Sequence, residues 1–430
     1  MEESRQPVIV GGLRTPFAKR GTALAALSPL ELGQQVTAEL VERLELDPTT
    51  VEQVVFGQVI PSIEAPNTAR EIVLGIGLPR EIEAHTVSKA CITSYQTTVD
   101  AYRAIADGSI DCGIAGGTES ASQVPITVSE PLRDALLEAE QADGLTATAK
   151  SFRGVGPSDL APQPPPIAEY STGETMGEAA ERMAKENGIS RRDQDEFAHR
   201  SHCRAAEAWE NGELDSQVMT MRPGPAYDQS FERDNLVRPD SDLDRYAALE
   251  PVFDPRHGSV TAGNSSPLTD GAAALVLMSQ EKAEAEGYPV LGRIRRFAFG
   301  ALDPEDQLLL GPALVIPRLL DRAGMSLDDF ELVDLHEAFS AAVLSVLEAL
   351  ASQSFARDRL GRSSAVGEID REHLNVQGGS IALGHPFAAT GARQILQTLT
   401  ELGRRGGGLA LCSACAAGGM AAAMILEVDR

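Results

Sequence analysis

One order of elements occurs twice in this chain. Cys91 opens a helical stretch that closes at Asp107-Gly108; a short apolar strand follows and runs into Gly116-Gly117. Far downstream, His385 opens a helical stretch through Leu396 and Leu399. The glycines 406–408 close it, and an apolar strand then runs into Gly418-Gly419. Identity between the two passes is slight, but order and spacing match. A duplication of this kind limits the chain to two similar α/β halves. Equivalent strand ends then lie side by side at the centre, where α/β sheets place ligands.

The surrounding residues extend each pass. Pro7 to Val10 reads as a strand, Leu30 to Leu44 as a helix apolar on one face, Val54 to Val59 as a strand, and Thr68 to Leu74 as a helix. The first run resumes with a strand from Ala272 to Met278; Val290 to Ala298 then opens a second run, with a helix from Pro312, a strand at Leu332–Leu335, and a helix from Ala338. Strands alternating with helices across glycine turns predict an α/β fold of two βαβαβ halves with a largely parallel sheet. Between about Val124 and Arg256 the rhythm breaks. Pro131–Leu137 reads as a short amphipathic helix, Pro162–Pro166 as a proline-rich connector, and Ser190–Trp209 as a helix capped by Ser190. The expected organisation is an N-terminal half (1–123 with 257–285), an inserted loop domain (124–256) and a C-terminal half (286–430).

Composition excludes several classes. No stretch approaches the roughly 20 apolar residues of a membrane span. The opening Met-Glu-Glu-Ser lacks a signal peptide's basic and apolar regions, and the closing Glu-Val-Asp-Arg is no peroxisomal address, so a cytoplasmic location is expected. A formal charge of −26 argues against nucleic acid as a partner. Five irregularly spaced cysteines make no disulfide framework. Cys412 and Cys415 have C-x-x-C spacing, yet no second ligand pair follows, and the spacing falls at the end of a strand rather than at the start of a helix. His199 and His202, three apart on a helix, read as ordinary surface histidines, and no metal site is expected.

Four segments carry chemistry. Cys91 sits among small residues at a helix start, where free N–H groups and the helix dipole are expected to lower a thiol pKa. His336 lies in a strand-to-helix turn, and His385 in the glycine-rich run 377–384 that continues into Pro386. Cys415 precedes Ala-Ala-Gly-Gly, a turn with N–H groups able to face an oxyanion. Two thiols and two imidazoles each fall just beyond a strand.

With these segments in order, the chain resembles the thiolases, which make or cleave 3-ketoacyl-CoA. The motifs are Ser88–Cys91, Gly116-Gly117-Thr118-Glu119-Ser120, Asn264–Gly271, His336-Glu-Ala-Phe339, Asn375–Gly391 and Cys415–Met420. Pro166–Gly173, His199-Arg-Ser-His202 and His385–Gly391 are more narrowly similar to the β subunit of the fatty-acid oxidation complex. The resemblance implies a layered α-β-α-β-α core in which the insert covers the substrate. It implies thiolytic cleavage by Cys91 as acyl-thioester nucleophile, His385 as its base and oxyanion donor, and Cys415 as general acid and base. His336 would hold an oxyanion water, where many thiolases have Asn. Ser266, Met176, Phe339 and Ala417 would line the substrate and CoA site, with Thr175 standing where biosynthetic thiolases carry histidine. CoA enters as a substrate, no permanently bound cofactor is expected, and CoA phosphates call for a local arginine patch. Expected partners are further copies of the chain, as a homodimer or tetramer, and an α subunit with hydratase and dehydrogenase activities. The competing readings are acetoacetyl-CoA synthesis by an acetyl-CoA acetyltransferase and a non-catalytic acyl-CoA or lipid carrier.

The acidity generates a prediction of its own. Lys19, Lys89, Lys150, Lys185 and Lys282 are the only lysines, so arginine carries nearly all the positive charge. Dissolved salt screens self-repulsion on such a surface. The melting temperature is expected to rise from low to high potassium chloride, and a higher melting temperature in low salt would contradict the reading.

Overall fold

The computed structural model describes residues 5–165, 168–224 and 227–430. Pro166, the end of the expected connector and the start of one motif, lies outside them. The chain divides into two compact units, Val124–Ile167 and the rest, Met1–Gln123 with Ala168–Arg430. The smaller unit holds the helices Glu130–Glu140 and Leu145–Ser151 and is closed by a bridge between Thr127 and Gln163. Ser129 caps its first helix by accepting the Leu132 N–H.

The larger unit is built on ten strands: β1 (Pro7–Arg14), β2 (Ala18–Lys19), β3 (Gln53–Gly57), β4 (Glu83–Val87), β5 (Cys112–Ser120), β6 (Thr269–Ser279), β7 (Gly292–Ala301), β8 (Leu332–Leu335), β9 (Gly408–Ala416) and β10 (Met420–Val428). Their order is β4-β3-β5-β6-β1-β7-β10-β9-β8, with β2 beside β6. Read outward from the middle, β1-β6-β5-β3 is mirrored by β7-β10-β9-β8, and β4 and the short β2 have no counterpart. The two halves meet where β1 pairs with β7 over two positions only, Val8 with Arg293 and Ile9 with Gly292.

The expectation of a largely parallel sheet is corrected. Parallel pairing is confined to β3–β4, β3–β5 and β8–β9, where helical crossovers intervene. The remaining pairs are antiparallel because β6 and β10 return beside their neighbours. β10 does so directly after β9, across residues 417–419, with Gly418 and Gly419 both at positive φ. The sequence reading missed β4 and β10, and with β10 it missed the hairpin.

Alternation along the strands builds the layers. On β6, Ala272, Ala274, Val276 and Met278 face one core and Ala273, Leu275 and Leu277 face another. On β10, Ala421, Ala423 and Ile425 face a third core, and Ala422, Met424 and Leu426 face the shared central one. The helices Thr93–Ala106 and Thr390–Arg404 occupy that central layer through Tyr95, Val99, Ile395 and Leu399. On the outer faces lie Pro29–Arg43 and Pro312–Ala323. The result is an α-β-α-β-α stack whose central pair of helices comes from the two halves.

Residues 168–256 do not stand apart as the expected insert did. The helices Met176–Glu186 and Arg191–Glu210 bury Ala179, Ala180, Met183 and Ala198 in the core of the second half. Asp234 is fully buried against Arg14 at 2.6 Å and accepts the Phe17 N–H and the Trp209 indole N–H. Only Val124–Ile167 forms its own unit, so the break in rhythm marks the start of the insertion but not its end.

Close approach at one glycine aligns the halves. A Cβ at Gly117 on β5 would lie 2.0 Å from the Ala388 carbonyl oxygen, in the turn that follows His385. Gly117→Ala is expected to cost roughly 1–3 kcal/mol, the usual range for overpacking, and to lower the thermal unfolding midpoint. An unchanged midpoint would mean that strand and turn separate freely.

Candidate active site

Cys91 lies in a single 3-10 turn, Ala90–Ile92, that runs straight into the helix Thr93–Ala106. Ala90 is held at φ +47°, a left-handed conformation costly for a residue with a Cβ. The Thr93 hydroxyl secures it by donating to the Ala90 carbonyl at 2.6 Å and accepting the Lys89 N–H at 2.8 Å. The second half repeats the turn-into-helix without the left-handed residue. Phe387–Ala389 is a 3-10 turn leading into Thr390–Arg404, with His385 just before it. The duplication thus brings thiol and imidazole together from opposite ends of the chain: His385 Nε2 lies 3.2 Å from Cys91 Sγ, across 294 residues of sequence.

His385 is fixed on two further sides. Its backbone N–H donates to Thr269 Oγ1 at 2.9 Å, and its Nδ1 lies 2.7 Å from Thr390 Oγ1. His336 stacks obliquely beside it, with ring centroids 4.3 Å apart. The His336 turn is pinned by its N–H donating to the Ser413 carbonyl and by Asn375, whose side chain bonds both backbone groups of Leu335. Glu337 points away and is absorbed structurally, accepting from Ser201, Asn375 and the Ile381 N–H.

Cys415 completes the set from β9. A small cavity is bounded by Cys415, His336, Ser413, Leu335 and Val343. The N–H groups of Ala417 and of Cys91 itself face the Cys91 sulfur. The turn carrying Ala417 is held from below, where Glu169 Oε1 accepts the Gly418 N–H at 2.6 Å. Two of the other expected binding residues lie together. Ser266 donates its N–H to the Ala338 carbonyl and Ser265 bridges Phe339, so Ser266 and Phe339 sit together beside the His336 turn. Met176 and Phe339 pack on the core cluster that contains Cys415. Thr175 is the N-cap of Met176–Glu186, closed in a capping box with Glu178.

The electrostatics overturn one expectation. The helix start was expected to lower the Cys91 pKa, but burial outweighs the two N–H groups and pushes the thiol up to about 12; the carboxylates of Glu119 and Glu169 add to the rise. Burial, and then the Arg393 charge, brings His385 down to about 3. Burial also raises Cys415, with the neighbouring Cys91 charge contributing, and lowers His336. At neutral pH the resting site is therefore two thiols and two neutral imidazoles. Such a set is able to pass protons between neighbours and stores no ion pair.

The competing cysteine and histidine readings find no support in the geometry. Cys412 and Cys415 are three apart on a strand and face opposite cores; Cys412 bonds Thr398 and both thiols are free. His202 accepts the Arg238 N–H and His199 lies 2.9 Å from Ser241 Oγ. Among the described residues, the one cluster close enough to hold a metal is Cys91, His336 and His385, with donor atoms within 4.8 Å of one another. That is the thiol–imidazole set itself.

This arrangement has relatives. Residues 7–281 match the family description "Thiolase, N-terminal domain", and residues 288–428 match "Thiolase, C-terminal domain". The chain belongs to the thiolase family. Thiolases are acyltransferases. This thiolase is 54% identical to a 3-ketoacyl-CoA thiolase of Yersinia pestis (strain Pestoides F) over 98% of this chain and 97% of the relative. It superposes on a Bacillus anthracis acetyl-CoA acetyltransferase with TM-score 0.83 and 31% identity, covering 98% of each chain. With human mitochondrial 3-ketoacyl-CoA thiolase in complex with CoA, the TM-score is 0.82 at 28% identity, covering 99% of this chain and 98% of the other.

Sequence reasoning did not single out Thr269, Thr390, Asn375, Glu169 or Glu119 as site residues. Glu119 is buried, accepts the N–H groups of Val59 and Ile60, and is pushed up to about 8 by that burial. The available signal was its place in Gly116–Ser120, directly after an apolar strand.

The resting protonation state is measurable. Subtracting the thiolate absorbance of Cys91→Ala from that of wild type should leave no step between pH 5 and pH 9, because the thiol titrates at about 12. A step centred in that range would contradict the neutral pair.

Proposed function

We propose that this thiolase cleaves 3-ketoacyl-CoA with free CoA, giving acetyl-CoA and an acyl-CoA shorter by two carbons, as in fatty-acid β-oxidation. One observation carries the reading: a partly buried thiol, Cys91, 3.2 Å from an imidazole base and facing two backbone N–H groups, with a second, buried thiol, Cys415, nearby.

The chemistry follows from those groups. Cys91 attacks the 3-keto carbon as its proton passes to His385 Nε2. The N–H groups of Cys91 and Ala417 receive the tetrahedral oxyanion. Removing one such donor typically costs roughly 3–4 kcal/mol of barrier. The bond between C2 and C3 then breaks, leaving an acyl thioester on Cys91 and the enolate of acetyl-CoA. His385 and a water held by His336 stabilise the enolate oxygen, and Cys415 gives its proton to the enolate carbon. Incoming CoA returns a proton to the Cys415 thiolate. The CoA thiolate takes the acyl group, and His385 restores the proton of Cys91. Atoms and charge balance over the cycle. Ser266, Met176 and Phe339 line the pantetheine and acyl path.

The same reading covers assembly and location: a homodimer or tetramer in the cytoplasm, paired with an α subunit that carries hydratase and dehydrogenase activities. Among the described residues no helix is long and apolar enough to cross a membrane. Residues 168–256 would cover the CoA site, with Met176 on their first long helix. The likeness to an acetyl-CoA acetyltransferase favours a second reading, acetoacetyl-CoA synthesis by the same residues in reverse.

Cleavage of 3-ketohexadecanoyl-CoA beside acetoacetyl-CoA, by wild type and Cys91→Ser, separates the readings. Faster wild-type cleavage of the long substrate, lost in the variant, is expected. Preference for acetoacetyl-CoA would move the enzyme to the synthetic reading, and activity surviving in Cys91→Ser would refute the mechanism.

A further inference from the structure

The central helix Thr390–Arg404 presents a fully buried arginine, Arg393, to the His336 side of the site. Its Nη1 lies 3.6 Å from Asp334 Oδ2, and the other oxygen of Asp334 accepts from Gln394 at 2.6 Å. Its Nη2 lies 3.0 Å from the hydroxyl of Ser380, itself fully buried. The same hydroxyl lies 3.0 Å from His336 Nδ1.

The directions of these bonds are fixed by chemistry. A guanidinium carries only donors, so Ser380 Oγ accepts from Arg393. Among the described residues, the one acceptor within reach of the Ser380 proton is His336 Nδ1. The hydroxyl therefore donates to Nδ1, and the His336 proton resides on Nε2. That Nε2 is buried and meets no protein acceptor among the described residues. Its N–H is left unspent within the fold, on a ring whose centroid lies 4.3 Å from that of His385 and which has a nitrogen within 4.8 Å of the Cys91 sulfur.

His385 is wired the opposite way. Its Nε2 faces the Cys91 thiol, and its Nδ1 faces Thr390 Oγ1. To act as base, Nε2 must carry the lone pair, so Nδ1–H donates to Thr390. The two neighbouring imidazoles thus offer the site different things, one an acceptor and the other a donor.

We propose that Ser380 and Arg393 are positioning residues that lock His336 in the Nε2–H tautomer, making it a fixed hydrogen-bond donor to the water and enolate oxygen of the thiolase reaction. The inference rests on the functional reading for what the donor serves, but the tautomer itself follows from the wiring alone. The Arg393 charge has a second effect: it opposes protonation of both rings, so the donor is not replaced by an imidazolium. Asp334 anchors the guanidinium and completes the relay from β8 to the site.

The test uses full-length protein with 15N-labelled histidine, of which the chain has seven, and assigns the ring nitrogens of His336 with a His336→Asn control. Wild type should show Nε2 protonated and Nδ1 unprotonated from pH 6 to pH 9. Ser380→Ala should show mixed tautomers. Its kcat for 3-ketoacyl-CoA cleavage should fall about tenfold with KM for CoA changed less than about twofold, since a misaligned donor loses transition-state stabilisation and not ground-state binding. Ser380→Thr, which keeps the hydroxyl, should restore both readouts. A wild-type spectrum with the proton on Nδ1 would overturn the inference whatever the stability of the variants. So would a Ser380→Ala enzyme of unchanged kcat. Wild type inactive on every 3-ketoacyl-CoA, yet showing the Nε2–H tautomer, would sink the functional reading and leave the tautomer assignment standing.

Discussion

The contact on which this molecule turns is 3.2 Å long and joins Cys91 to His385. Neither group can do thioester chemistry alone. A thiol pushed up to about 12 needs a base at its side, and an imidazole brought down to about 3 is a base only for a proton handed directly to it. The fold brings the two together from distant segments. Each residue stands at a 3-10 turn that runs into a central helix, and each helix comes from a different half. The halves meet at β1 and β7 over only two residue pairs, so the packing of the central helices carries much of the alignment. Gly391 allows that packing, because a Cβ there would lie 2.7 Å from the Tyr95 ring.

Burial sets both the cost and the capability of the site. It keeps two thiols protonated and two imidazoles neutral, so no charge needs solvating before substrate arrives. It also makes every remaining polar group specific in its partners, since an unpaired one would be expensive. Thr269 and Thr390 hold one ring, Ser380 and Arg393 the other, and Glu169 the turn that offers the Ala417 N–H. These are short, uncharged or charge-balanced tethers drawn from several segments of the chain. Their convergence makes one imidazole an acceptor and its neighbour a donor.

Much of this was legible in the sequence because the information there is local. A strand, a glycine turn and a helix leave periodic marks, and the order Cys91, helix, strand, Gly-Gly repeated around His385 was enough to show a duplication. The sheet's direction was less legible. Strand–helix–strand units argue for parallel pairing, but β10 joins β9 through a three-residue turn and β6 returns from a distant segment, so the middle of the sheet is antiparallel. The insertion's end was illegible for a similar reason: residues 168–256 have irregular spacing yet bury Asp234 under Arg14. The Cys91 pKa was misjudged because a helix start can be read from sequence while depth of burial cannot. Ser380 and Thr390 lie inside the Asn375–Gly391 motif and Arg393 two residues beyond it, and only three-dimensional distance shows which of these polar side chains reach the rings.

The central claim is that Cys91, activated across the halves by His385, carries the acyl group. Mass spectrometry of the protein after exposure to 3-ketohexadecanoyl-CoA without free CoA tests it most directly. A tetradecanoyl adduct confined to Cys91, formed at once by wild type and far more slowly by His385→Ala, is the predicted result. An adduct on Cys415 or Cys203, or one that forms equally fast without His385, would contradict the account.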